Sequence, residues 1–295
     1  MISRNSFRRW LDNETFAAWF FLAPALVLFA IFVLGPILYS VGLSFTVGSF
    51  TRAGISWVGL RNYSNVFASP DFWQVVGNTV YFTIATLVPS IVVPLALATV
   101  LDKIAFGRTL LRTAYFIPSV VSIVAAGLGW RWLFQTSGPV NSLLSNLGRA
   151  PIPWLGSATW AMPILILLSI WKQVGFNLVV FLAGLQAIPK IRYEAAALDG
   201  ADAWQQFRHI TLPGLRPTFI FTIVTTSIFT LRSFEQVYVM TGGGPLNSTN
   251  LLVYYVYEQA FNLFDFGYAS AVATLLLLAT LTIVGVQLYL TRQDT

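Results

Sequence analysis

The chain of 295 residues contains no cysteine, and its single histidine is His209. Disulfides, iron–sulfur clusters and thiolate metal sites are therefore excluded, and a lone histidine among polar loop residues reads as a surface group. Charge is scarce as well. Charged residues make up 9% of the chain against 56% hydrophobic, and the mean hydropathy is +0.72. That leaves too little polar surface for a water-soluble globule of this size, so the chain belongs in a bilayer. No G-x4-G-K-[ST] phosphate loop occurs, so any ATP hydrolysis must reside on another polypeptide. The apolar stretches also hold no metal-ligand cluster, no G-x-S-x-G elbow and no carboxylate pair. An intramembrane enzyme is disfavoured on that ground; no catalytic residue, no metal and no directly bound cofactor are expected.

Crossing the hydrocarbon core takes roughly 20 apolar residues. Six stretches qualify, at about 16–43, 76–101, 113–134, 158–185, 218–240 and 268–290. The fold class is accordingly all-α: a polytopic bundle of six transmembrane helices with both termini on one side. The first span is too long for the apolar core of a signal peptide and no small-residue cleavage site ends it, so it reads as uncleaved. Loops rich in arginine and lysine stay in the cytoplasm. With the N-terminus inside, eleven basic residues fall on the cytoplasmic side, among them Arg8, Arg9, Lys103, Arg108, Lys190 and Arg208, and three (Arg52, Arg61 and Arg149) fall outside. Both termini, 1–15 and 291–295, are thus placed in the cytoplasm. The net charge of +6 reflects this orientation and needs no nucleic-acid partner.

Between spans lie short polar segments. Phe72, Trp73 and Val76 have the spacing of a helix lying in the interface before the second span. Pro89 and Pro94 in the second span, like Pro24 and Pro36 in the first, remove backbone donors and should bend those helices. The run Thr241-Gly242-Gly243-Gly244-Pro245 after the fifth span reads as a tight exit turn. Arg131, between Trp130 and Trp132, is read as an interfacial anchor.

The segment 186–215, between the fourth and fifth spans, is polar and cytoplasmic. Glu194-Ala195-Ala196-Ala197-Leu198 favours helix, Gly200 breaks it, and Asp202 can cap a second short helix through Phe207. The expected result is a knob of two short helices joined at a glycine elbow. Its alanines let a partner approach closely, and Glu194 offers one charge for a specific pair.

Read as a pattern, this segment is E-A-A-x3-G-x9-I-x-L-P. It resembles the cytoplasmic coupling loop of ABC-importer permease subunits, and Val58-Gly59-Leu60-Arg61-Asn62-Tyr63, Trp154-Leu155, Glu235-Gln236-Val237-Tyr238, Gly242-Gly243-Gly244-Pro245 and Phe266-Gly267-Tyr268-Ala269 narrow the likeness. They are similar to carbohydrate-uptake permeases of the maltose, multiple-sugar and glycerol-3-phosphate type, the half with the outer Gly-Gly-Pro loop. Many relatives have Asp where this chain has Glu235. The maltose permease subunit itself adds N-terminal spans and a large outer domain that are absent here. The resemblance implies the type I importer permease fold and a bacterial inner-membrane location. It implies three kinds of neighbour besides lipid: a second homologous permease subunit, two copies of an ATP-binding cassette ATPase carrying the ATP and Mg, and an extracytoplasmic sugar-binding protein. Docking on the ATPase falls to Glu194, Ala195, Ala196, Gly200, Ile210, Leu212 and Pro213.

A substrate path is sought among polar groups at membrane depth, which are costly unless they face a cavity or a partner. Lys172 lies deep in the fourth span. Ser169, Lys172, Gln173 and Phe176 share a helical face with Asn177 at its edge, and Thr226, Phe229, Thr230, Ser233 and Val237 form a second stripe on the fifth span. The two stripes could hold sugar hydroxyls and stack on a sugar face, or they could bond to each other between helices. The resemblance favours the first. Arg232 and Glu235 fall on a different face and suggest an internal ion pair or a contact with the second subunit. Within the same architecture, glycerol-3-phosphate or another charged solute is the alternative cargo, with Lys172 neutralising phosphate rather than donating to a sugar. An ATP-independent secondary transporter would need intramembrane carboxylates or inverted repeats; only Glu235 lies in a span and no repeat is visible.

Overall fold

The computed structural model describes residues 14–49, 52–104 and 106–292. Most of the expected cytoplasmic segments 1–15 and 291–295 lies outside the described residues. Four helices are long and apolar enough to cross a membrane, at Ala18–Leu43, Pro70–Lys103, Ala161–Ala187 and Phe266–Tyr289, and two bent helix pairs raise the number to six if each is one span. The first, α1, runs as Glu14–Phe29, a π turn at Ala30–Leu34, and Gly35–Leu43. An antiparallel hairpin follows, β1 (Thr46–Ser49) and β2 (Arg52–Trp57), the one sheet among the described residues.

The outer stretch then differs from the expected interfacial helix at Phe72–Val76. The separate short helix is α2 (Arg61–Ala68), while Pro70 opens α3 (Pro70–Lys103) directly. Ser69 supplies the reason: its hydroxyl accepts from the amide of Phe72, and Pro70 sits in the first turn, where a missing donor costs nothing. Pro89 and Pro94 are carried inside the 34-residue helix.

The third stretch is not one straight helix. It comprises α4 (Arg108–Val120) and α5 (Ile123–Phe134), continued by α6 (Pro139–Asn146), and the two sides of the break at 121–122 meet at 94°. The fourth is α7 (Ala161–Ala187), the axis of the bundle. Two-thirds of its most apolar window is buried, and it packs against α3, α4, α5 and the fifth stretch. Beyond it come the knob helices α8 (Lys190–Leu198) and α9 (Ala203–Gln206, a π turn at Phe207–Thr211, and Leu212–Gly214). The fifth stretch is broken too: α10 (Arg216–Leu231) stops, Arg232–Phe234 is irregular, and α11 (Glu235–Met240) resumes. The exit turn at Gly242–Pro245, α12 (Leu252–Tyr257, extended by a π turn at Glu258–Asn262) and α13 (Phe266–Arg292) complete the chain.

Without a hydrophobic driving force between helices in lipid, close approach and interhelical hydrogen bonds hold such a bundle. At Gly175 in α7 a Cβ would lie 2.1 Å from the carbonyl oxygen of Tyr115 in α4, so only hydrogen fits there. On the outer side, the Asn62 side chain donates to the carbonyls of Ser44 and Thr46, each at 2.8 Å, tying α2 to the end of α1. Arg131 likewise reaches the carbonyl of Val239 at 3.1 Å; it joins α5 to α11 in addition to sitting between two tryptophans. By contrast, none of the most apolar window of α1 is buried within this chain.

Candidate functional site

The knob is built as its composition dictates. Helix α8 ends at Leu198, and Gly200 takes φ +81°, the left-handed conformation that a side chain resists. Asp202 then starts α9 through a reciprocal capping box. Its carboxylate accepts from the amide of Gln205 at 2.7 Å, and the Gln205 side chain accepts from the amide of Asp202 at 2.9 Å. The Tyr193 hydroxyl bonds Thr211 Oγ1 at 2.9 Å and closes the two helices into one body. His209 is exposed, its Nδ1 3.0 Å from the carbonyl of Gln205 within the same helix.

Of the residues expected to couple, Glu194, Ala195, Gly200 and Pro213 are exposed, and Ala196 and Leu212 are half-buried. Ile210 points the other way. It packs with Tyr193 against a buried cluster of Ala98, Leu101, Phe181, Leu182, Leu185 and Leu215 from α3, α7 and the start of α10. The knob is thus seated on the helices by Ile210 and presents its Glu-Ala-Ala face outward. Leu198, 90% exposed, adds an apolar tip that is not among the expected coupling residues; its position two residues before the elbow is the available signal.

The second site is a cavity of about 630 Å³ at the two helix breaks. Phe116 and Ser119 of α4 and Ile123 of α5 border it at one break, Arg232, Ser233, Glu235 and Gln236 at the other, and Lys172, Gln173 and Phe176 of α7 between them. Irregular backbone at membrane depth is tolerated where it lines a cavity. Of the expected path residues, Lys172, Gln173, Phe176, Phe229 and Ser233 line this space. Asn177, Thr226 and Thr230 do not; they are buried behind it. Thr226 Oγ1 accepts from Asn177 at 3.2 Å and from Gln173 at 3.4 Å, so these groups are bonded to each other between helices. One continuous fifth helix would set Arg232 and Glu235 on a separate face. The irregular turn at 232–234 brings both to the cavity instead, and no ion pair joins them.

Lys172 has a use within the chain. Its ammonium donates to the carbonyl of Val121 and, at 3.5 Å, to that of Ser119, while Ser119 Oγ donates to the carbonyl of Lys172 at 2.9 Å. These carbonyls belong to the C-terminal end of α4, where helix geometry leaves acceptors unpaired and a cation is favoured. The lysine therefore fastens the broken third stretch to the fourth, with Gly175 one turn away permitting the contact.

A knob carried by two neighbouring helices, with a polar cavity between helix breaks above it, defines a transport subunit. Residues 79–293 match the family described as binding-protein-dependent transport system inner membrane component. The chain belongs to that family and is a multi-pass protein of the inner membrane. It is 36% identical to the lactose transport system permease protein of Rhizobium radiobacter, over 99% of this chain and 98% of the relative. Its fold matches a chain from the crystal structure of a bacterial ABC transporter involved in the import of the acidic polysaccharide alginate, with a TM-score of 0.84 and 27% identity, covering 98% of this chain and 99% of the other. A second structure, bacterial alginate ABC transporter in complex with an alginate pentasaccharide-bound periplasmic protein, matches with a TM-score of 0.82 and 26% identity over 97% and 98% of the two chains.

Proposed function

We infer that this subunit receives a mono- or oligosaccharide from an extracytoplasmic binding protein and passes it inward when partner ATPases, docked on the Glu194–Pro213 knob, hydrolyse ATP. The observation that carries the reading is continuity: α7, which lines the cavity, runs through Pro189 into α8, and α9 runs through Leu215 into α10, which lines it from the other side. A movement imposed on the knob is thereby delivered to both walls. The basic residues around the knob support a cytoplasmic position for it. The unburied apolar length of α1 offers the surface for a second permease subunit. The names of the relatives support a sugar as cargo, and the cavity lining of amides, hydroxyls and phenyl rings suits one.

An acidic sugar is the variant reading. Arg232, on the cavity and free of any ion pair with Glu235, favours it, since Lys172 is committed to backbone carbonyls. The test of the main reading is Glu194→Lys in the complete transporter reconstituted in liposomes. ATP hydrolysis should separate from sugar uptake while the subunit still inserts; uptake at the wild-type rate would overturn the assignment.

A further inference from the structure

Behind the knob lie two cavities that the transport path does not use. One, of about 590 Å³, is walled by Asp102, Lys103, Arg108, Lys190, Glu194 and Phe207 among others; the second, of about 530 Å³, is walled by Thr99, Val100, Lys103, Ile104, Trp204 and Phe207. They share Thr99, Lys103 and Phe207 and so form one crevice, with a charged half and an apolar half.

The depth of this crevice is set by α3. Its 34 residues extend about 50 Å, well beyond the roughly 30 Å hydrocarbon core. Its last turn, Thr99 to Lys103, carries the charges of Asp102 and Lys103, which favour the headgroup layer over the hydrocarbon. The surroundings agree with that depth. Phe106 is 96% exposed, and Val100 and Leu110 are exposed as well, which is costly in water and favourable against lipid. Trp204 stacks on Phe207 with ring centroids 5.7 Å apart, and an indole prefers the membrane interface.

Charge then selects the occupant. Arg108 is engaged by Asp102 at 2.8 Å. In the charged half this leaves the ammonium groups of Lys103 and Lys190 against the single carboxylate of Glu194, an excess of positive charge. Resting on that reading for its sidedness, we propose that this crevice holds one anionic phospholipid of the cytoplasmic leaflet, its phosphate between Lys103 and Lys190 and an acyl chain between Val100, Ile104 and the Trp204–Phe207 stack. Such a lipid wedges the knob against the end of α3, the point at which knob movement meets the membrane.

The complete transporter in liposomes provides the test, with phosphatidylglycerol or phosphatidylcholine carrying brominated acyl chains as quenchers. The signal is the Trp204 component, the fluorescence of the parent minus that of Trp204→Phe. Phosphatidylglycerol should quench it at least threefold more than phosphatidylcholine, and Lys103→Ala with Lys190→Ala should abolish the preference. If the double variant does not assemble, Lys103→Gln alone should halve it. Equal quenching by both lipids, absent quenching, or loss of the preference on adding millimolar inorganic phosphate overturns the lipid site, the last by identifying a soluble anion. The chain has no cysteine, so Leu198→Cys labelled by a membrane-impermeant maleimide reports the side of the knob, and ATP-driven uptake in the same vesicles reports the transport reading. Either can fail without the other.

Discussion

The side-chain amide of Asn177 donates to the backbone carbonyl of Ser90 at 2.6 Å, and four residues after Ser90 stands Pro94, which has no amide hydrogen to give. A proline inside a helix orphans the carbonyl one turn before it. In a membrane that orphan has no water to turn to, so a neighbouring helix must supply the donor. Asn177, fully buried on α7, is that donor.

Asn177→Leu keeps the volume and removes the donor. The purified subunit should lose about 1 kcal/mol, read as a lowered melting temperature, with sugar affinity of the reconstituted transporter unchanged. A change in affinity at constant melting temperature would instead place Asn177 in the substrate path.

Lys172→Met separates fastening from charge recognition. Because the ammonium caps the end of α4, the variant should be less stable and slower for every solute it carries. Uptake assays with a neutral and an acidic sugar should fall by similar factors; loss confined to the acidic sugar would return the lysine to cargo binding.

Arg232→Gln makes the complementary claim. If the cargo is acidic, this substitution should raise KM about tenfold with little change in the melting curve, a factor equal to about 1.4 kcal/mol of binding. An unchanged KM for an acidic sugar rejects a cargo contact for Arg232.

Gly175→Ala puts a methyl group where Tyr115 leaves no room. Overpacking of this kind costs about 1–3 kcal/mol, and helix α4 must move away. The variant should show poor yield and a lowered melting temperature, and a double substitution with Lys172→Met should be less than additive, since both act on the same contact.

Asp202→Ala removes the capping box at the start of α9. The expected cost is about 1 kcal/mol, local to the knob. Faster hydrogen exchange at Gln205 and Gln206, with exchange in α7 unaltered, would be the signature; protection equal to the parent would show that Tyr193 and Ile210 suffice to hold the knob.

The two-helix form of the knob was legible because the devices that shape it are local, whereas its closure by Tyr193 and Thr211 and its seating by Ile210 were not. Helix propensity in Glu194–Leu198, the left-handed glycine and the cap at Asp202 act over a few residues, so spacing alone describes them. The cavity was legible in part. Polar stripes at helical spacing found Lys172, Gln173, Phe176, Phe229 and Ser233, but the same periodicity also returned Asn177, Thr226 and Thr230, which bond within the protein. Periodicity reports which residues share a face and is silent on what the face meets. Ser119, Gln236, Arg232 and Glu235 were missed as cavity residues. The break at 232–234 carries no glycine or proline to announce it, and Pro118, the one local signal near the other break, lies within α4 rather than at its end.

The sequence by itself determined that the chain lives in a membrane, which stretches are apolar enough to span it, and that a two-helix knob stands between two of them. Those are consequences of composition and of interactions within a turn or two. Only the tertiary structure decided where the spans break, which polar groups are spent on one another, and which remain to face a solute. A buried carbonyl or ammonium must find its partner wherever another helix presents one, across the 87 residues separating Ser90 from Asn177 or the 51 between Val121 and Lys172, and no local rule fixes that choice.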